Sequence, residues 1–301
     1  MISIVTPSFN QGKYLEETIR SVLLQGYPKL QYIVIDGGSS DESLSILQKY
    51  GPWLSYWVSK PDRGQPSAIN EGLQMATGTL FGFLNSDDLL APGALFAIAE
   101  AHLRAPENLV AGDVIEFRET QDRVVQRVDQ SGLKLNELIQ FWTEPNWHQP
   151  GVFITRKLFD IIGPYDESHQ FGFDYDFMLR ALHHAEVTHV RDVVALFRLH
   201  ENSKTCSGNA LQVMEQFKIS RRYWGDLKEG DKRAARRYTA RILFGSGCSN
   251  LIRRRRMGLR LLVEGLSIDP VYAIANAGTQ FPGWVSRKLR RSLSIASRTN
   301  P

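Results

Sequence analysis

The sequence predicts an α/β fold: a doubly wound, mainly parallel mixed sheet flanked by helices, followed by a helical and basic C-terminal extension. Three observations lead there. Short β-branched runs alternate with helical spacings of apolar residues over the first hundred positions. The polar clusters fall at the ends of those runs, where sheets of this kind place their ligands. Beyond about Ser207 the pattern turns helical and basic: from Lys228 onward there are 16 Lys/Arg against 4 Asp/Glu, a balance of +12 that leaves −8 for the preceding residues of a +4 chain.

The elements follow in order. Ile2 to Thr6 and Tyr32 to Ile35 read as strands, and Tyr14, Leu15, Ile19, Val22 and Leu23 recur at helical spacing between them before Gly26. Ser40 or Asp41 is placed to cap a second helix through Leu44 and Leu47. Ser67 is placed to cap a third through Ile69 and Leu73, closing at Gly78. Thr79 to Leu84 has the uninterrupted apolar character of a strand buried on both faces. From Leu109 to Val128 two short apolar runs flank polar residues, which predicts a hairpin that extends the sheet.

Several classes are disfavoured at once. With 301 residues, 43% of them hydrophobic, the chain can bury a full core. Cys206 and Cys248 lie far apart and lack metal-ligand spacing, so neither a disulfide framework nor a zinc site is expected. Met1 to Pro7 has no basic n-region, and no apolar stretch approaches the roughly 20 residues that span a bilayer. The expected location is the cytoplasm, free or peripheral on the inner face of the membrane. Pro7-Ser8-Phe9-Asn10-Gln11-Gly12 follows the first strand where a dinucleotide site would show G-x-G-x-x-G, so no such cofactor is expected.

Two strand-end clusters carry chemistry. In Asn85-Ser86-Asp87-Asp88 the adjacent carboxylates offer hard oxygen ligands for Mg²⁺ or Mn²⁺, and such an ion keeps positions open for substrate phosphates. The plainer alternative is acids decorating a helix N-terminus. Asp36, before Gly37 and Gly38, can accept hydrogen bonds from a ribose or a base edge while the glycines admit the ligand closely; the alternative is a tight turn.

Taken together, Thr6-Pro7-Ser8-Phe9-Asn10, the Val34 to Asp41 stretch, Pro61-Asp62-Arg63-Gly64, Ala68-Ile69-Asn70-Glu71-Gly72 and Leu84-Asn85-Ser86-Asp87-Asp88 resemble glycosyltransferase family 2 in order and approximate spacing, over roughly residues 1 to 205. The resemblance implies a GT-A fold and an inverting transfer from a nucleoside diphosphate sugar, UDP being favoured. It assigns the donor to Thr6, Pro7, Ser8, Asn10, Asp36, Gly38, Asp62, Arg63, Asn85 and Ser86. Asp87 matches the second acid of a D-x-D-like element and Asn85 replaces the first, so the metal is assigned to Asp87 first and Asp88 second.

Further along, Phe171 to Arg180 looks like the family's acidic motif at a helix start, with Asp174 at the position of the general base. Inversion needs one carboxylate to take the acceptor hydroxyl's proton as that oxygen attacks opposite the departing diphosphate. His200, within Phe197 to Ser203, is similar to a late family segment whose histidine reaches the metal or the diphosphate. Trp147-His148-Gln149-Pro150 resembles a segment bordering the acceptor, and Asp176 is grouped with it. The implied organisation is a catalytic domain over 1–206, with a nucleotide-sugar half of about 1–108 and an acceptor half of about 109–206, and a helical extension over 207–301.

Arg236-Arg237, Arg253 to Arg256 and Arg287 to Arg291, among Leu259, Leu261, Leu262, Trp284 and Val285, suit an anionic bilayer beside a lipid-linked acceptor; a helical face packed back on the catalytic domain is the alternative. No recognition motif accompanies this charge, so nucleic acid is not an expected partner. Arg221-Arg222-Tyr223-Trp224 does not match the Q-x-x-R-W of processive relatives, which favours single addition, as in cell-surface polysaccharide or glycolipid assembly. Two rival readings remain. A sugar-nucleotide nucleotidyltransferase would show a glycine-rich basic signature that Thr6 to Gly12 lacks, and a non-catalytic carbohydrate adaptor would not need Asp87, Asp88 and Asp174 together.

Overall fold

The computed structural model describes residues 1–119, 123–140, 147–200, 210–252 and 257–275. Cys206, Arg253 to Arg256 and the basic segment around Trp284 to Arg291 lie outside these residues. The chain forms two compact units, Met1–Gly208 and Asn209–Pro301.

In the first unit, β1 (Ile2–Ser8) is buried at every residue because β2 (Leu30–Asp36) and β4 (Leu80–Phe83) pair with it in parallel on its two sides. Between β1 and β2, α1 (Gly12–Leu23) buries Leu15, Ile19 and Val22, the stripe that the spacing predicted. The second helix, α2 (Ser43–Tyr50), owes its start to Asp41, whose Oδ1 accepts from the Ser43 amide at 3.0 Å. The other oxygen of Asp41 accepts from the Gly12 amide at 2.8 Å, so one carboxylate supports the start of two helices. β3 (Tyr56–Ser59) adds to β2 in parallel.

Helix α3 (Gln65–Met75) begins two residues before the expected Ser67 cap and ends before Gly78. Gly64, at φ 109°, turns the chain, and Pro66 presets the first helical turn, which outcompetes the serine. The helix lies tightly on β1: a Cβ at Gly72 would stand 2.4 Å from Val5 Cγ1.

The rest of the unit reverses direction. β5 (Leu89–Leu90), α4 (Ala94–Arg104), β6 (Leu109–Arg118) and β7 (Val124–Val128) follow, the last two forming the expected hairpin. Then come α5 (Leu135–Leu138), β8 (Val152–Thr155), α6 (Arg156–Ile162), α7 (Phe173–His184) and β9 (Val187–Leu199). The described strands form one nine-stranded mixed sheet in the order β3-β2-β1-β4-β8-β6-β9-β5, with β7 on β6. β8 runs antiparallel to both β4 and β6, while β6 and β9 are parallel. Leu89 pairs with Leu196 and Leu90 with Ala195, which brings the segment after β4 beside the end of β9.

The second unit is helical, with α8 (Ala210–Arg222), α9 (Glu229–Ile252), α10 (Met257–Ile268) and α11 (Pro270–Ala275). Glycines let α9 and α10 approach closely: a Cβ at Gly258 would lie 2.7 Å from the Leu251 amide nitrogen, and one at Gly265 2.9 Å from the Ala240 carbonyl oxygen. Among the described residues no helix is long and apolar enough to cross a membrane.

Candidate functional site

The ends of β1, β2 and β3 converge with the turn after β3. Asp36, fully buried at the end of β2, accepts from the Ser59 hydroxyl at 2.6 Å, from the Ser39 amide at 2.9 Å, from the Gly38 amide at 3.2 Å and from the Ser39 hydroxyl at 2.5 Å. Gly38, at φ 81°, lies against Pro61, and a Cβ at Gly37 would meet Asp62 Oδ2 at 3.0 Å and Phe9 at 3.2 Å. These contacts draw together three of the donor segments expected from the sequence. Asn10, at φ 51°, donates its amide to Ser39 Oγ at 2.7 Å and accepts from the Ser40 amide at 2.9 Å. Thr6 and Pro7 are buried beneath this surface, Thr6 beside the Tyr32 hydroxyl at 3.1 Å. The Ser8 hydroxyl is buried and has no partner among the described residues.

Asp62 turns the chain by accepting from the Gly64 amide at 2.7 Å. Arg63 is largely exposed and paired at the surface. Its guanidinium meets Glu167 at 2.8 Å, and Asn70 donates to the same carboxylate at 3.2 Å. The bond from Arg63, followed by that from Asn70, holds the Glu167 carboxyl below its usual range.

The segment after β4 divides its two acids. Asp88 is buried: Oδ1 accepts from the Arg198 amide at 2.9 Å, and Oδ2 accepts from Asn85 Nδ2 at 3.1 Å. Burial, and then the neighbouring Asp87 charge, push the Asp88 carboxyl well above its usual range. Asp88, expected as the second metal ligand, is thus enclosed and already bonded through both oxygens. Asp87 faces the other way, with Oδ2 2.9 Å from His200 Nε2; the two side chains are 17% and 7% exposed. The His200 ring leans on Tyr14, with centroids 4.8 Å apart. Thr18 of α1 donates to the carbonyls of Ser86 at 2.9 Å and Asp88 at 2.8 Å, and Gln65 donates to Asn85 Oδ1 at 2.7 Å.

Sequence reasoning missed the residue that ties this segment down. Arg198 is 2% exposed, lies over the rings of Phe117 at 4.5 Å and Tyr14 at 4.8 Å, and donates to the Asp87 carbonyl at 2.8 Å, to the Glu119 carbonyl and to Glu17. The sequence carries no local signal for it, since Arg198 reads as one more charge in a strand that also holds Arg191 and Asp192. Arg198→Met is expected to cost about 2–4 kcal/mol, because it removes a buried guanidinium from the part-buried bonds to the Asp87 and Glu119 carbonyls and from the half-exposed Glu17. Urea unfolding checks this.

Asp174 lies in the first turn of α7 and lines a pocket with Gly82 and Phe83 of β4, Gln149, Tyr165 and Phe177. Burial, and then the Asp174 charge, push the Tyr165 hydroxyl well up, so the carboxylate borders an apolar wall. Gln149 donates to the Phe83 carbonyl at 2.7 Å, and its buried Oε1 has no partner among the described residues. Trp147 is half-buried. His148 and Asp176, expected near the acceptor, are held by the protein. His148 lies 2.8 Å from Glu116 and stacks on Phe197. Burial raises the Glu116 carboxyl, but the bond and charge of His148, with smaller contributions from Gln126 and Arg118, together turn the net direction down. Asp176 binds Arg180 at 2.9 Å, and that arginine reaches the carbonyls of Ile162 and Pro164.

Asp113, Asp129 and His189 form a second acidic group, with ligand atoms within 4.8 Å of one another. Arg127 already occupies Asp113 Oδ2 at 2.6 Å, and His189 lies on Oδ1 at 2.7 Å. A cation there would face a guanidinium, so the group fits an ion-pair network better than a metal centre.

The model of glycosyl transferase family 2 matches residues 3–163. A PGL/p-HBAD biosynthesis glycosyltransferase of Mycobacterium bovis is 33% identical over 185 residues, covering 60% of this chain and 69% of that protein. Among solved structures, S. aureus TarS 1–349 in complex with UDP-GlcNAc superposes with a TM-score of 0.65 at 17% identity, over 92% of this chain and 82% of TarS. The mannosyltransferase PcManGT of Pyrobaculum calidifontis, in complex with GDP-Man and Mn²⁺, superposes with a TM-score of 0.57 at 18% identity, over 99% and 81%. Those likenesses identify the fold as GT-A. With the family model spanning more than half of its length, including the strand ends and the Asp87 segment, this chain belongs to glycosyl transferase family 2.

Proposed function

We propose that the protein is an inverting glycosyltransferase that moves a single sugar from a nucleoside diphosphate sugar, by preference a UDP-sugar, to an acceptor hydroxyl with the help of a divalent metal. The observation that carries this reading is the Asp87–His200 contact, which joins loops far apart in sequence at the end of the sheet.

The donor set fits the ion. A carboxylate oxygen and an imidazole nitrogen 2.9 Å apart, both partly shielded, leave positions for diphosphate oxygens, and Asp88 is held back by Asn85 and Arg198. A Mg²⁺ or Mn²⁺ bound by Asp87 and His200 would neutralise the leaving diphosphate. The turn built on Asp36, Gly38 and Asp62 supplies a walled surface for the nucleoside. Asp174 takes the acceptor proton, and the aromatic wall beside it limits water. Gln149, with one free acceptor oxygen, orients a hydroxyl in the same pocket.

This chemistry is assigned to residues 1–206. The UDP preference draws on the UDP-GlcNAc complex of TarS. A panel of UDP-, GDP- and dTDP-sugars, assayed with and without Mn²⁺, tests the reading. One donor is expected to give metal-dependent turnover and thermal stabilisation. Turnover of no donor, or equal turnover in EDTA, would refute it.

A further inference from the structure

The second unit carries a surface that sugar transfer does not use. On α11, Val271 is 76% and Ile274 60% exposed, one turn apart on the same face, while Ala273 between them is buried. Beside them, Tyr272 packs edge-on against Tyr238 of α9 with centroids 6.4 Å apart. Each ring carries an arginine: Arg237 lies 5.7 Å from the centroid of Tyr272, and Arg241 5.4 Å from that of Tyr238. Arg236, exposed on the same turns of α9, reaches the Ile268 carbonyl just before α11 at 3.5 Å. Asp269, the acid that opens α11, is engaged by the Tyr272 amide at 3.0 Å.

Exposed aliphatic side chains on α11, next to tyrosines that each carry an arginine, are the residue classes that sit together in a bilayer interface. Such aliphatics enter the acyl boundary, the rings lie at headgroup depth and the arginines meet lipid phosphates. We propose that this α9–α11 surface docks the protein on an anionic lipid bilayer. Charge decides the occupant: the residues from Lys228 onward carry a balance of +12, so a second copy docked through this same face would be repelled. A soluble polyanion would answer the arginines but leave Val271 and Ile274 in water.

Co-sedimentation of the full chain with phosphatidylcholine vesicles, with and without phosphatidylglycerol, tests this. Strong binding is expected only to the anionic vesicles. Arg236→Gln with Arg237→Gln should lower the partition coefficient roughly 30-fold, about fivefold for each charge. Val271→Ser with Ile274→Ser, on solvent-facing positions that leave the helix packing intact, should lower it at least about tenfold. Unchanged vesicle binding by the apolar pair would overturn the proposal. So would equally tight binding of soluble polyphosphate, or a lipid-free dimer that the same pair converts to a monomer. No residue of either pair is assigned to donor or acceptor, so vesicle binding and donor turnover report separately.

Discussion

Asp174→Asn is expected to lower turnover by roughly 10²–10⁴-fold while leaving donor affinity nearly unchanged. The substitution keeps the side chain's shape and its acceptance of the Tyr175 amide at 2.7 Å, so α7 should start as before. What it removes is the ability to accept a proton. At 1.36 kcal/mol for each factor of ten, the loss is about 3–5 kcal/mol of transition-state stabilisation. A role confined to helix capping predicts a different result, with a lower melting temperature and intact turnover in the surviving fold. Steady-state kinetics together with donor titration separate the two, and unchanged kcat would remove Asp174 as the base.

Asp87→Ala is expected to abolish the part of donor binding that depends on Mn²⁺. Losing an outer-shell partner already costs roughly 10–100-fold in metal affinity, and loss of a direct ligand should exceed that. His200 would remain, but a lone imidazole nitrogen does not hold a hard ion against water. Asp88→Asn supplies the control. Both Asp88 oxygens are engaged by protein donors, so this change should alter stability and leave one metal site intact. Calorimetric titration of UDP with and without Mn²⁺ reads both variants. Equal metal dependence in Asp87→Ala and wild type would contradict the assignment.

The parts of the fold that were legible in the sequence are those whose burial is local. β1, β2 and β4 lie inside the sheet, so they carry short apolar runs broken in β1 only by small polar residues, and α1 shows its stripe because one face alone meets the sheet. β9 was not legible. Its 13 residues include Arg191, Asp192 and Arg198, and its partners β6 and β5 lie some eighty residues or more upstream, with register shifts around Asp113. The start of α3 was misread because the competition between Pro66 and a serine cap is decided by the turn at Gly64.

The same division holds for the site. Asp87 was marked as one of two strand-end carboxylates, but Asp174 and His200 were named through resemblance to a family, since an acid at a helix start or a lone histidine is more often structural. Which acid meets His200 and which is walled in depends on β9 arriving beside the Asp87 segment, a tertiary event with no local signature. Arg198 shows this most clearly. In sequence it reads as a surface charge, and in the fold it lies between two aromatic rings and binds the segment that presents Asp87.

The most direct test of the account is a crystal structure with UDP and Mn²⁺, with the ion located by anomalous scattering. One peak is expected at Asp87 and His200, next to the diphosphate. A peak among Asp113, Asp129 and His189, or a diphosphate bound without an ion at Asp87, would contradict it.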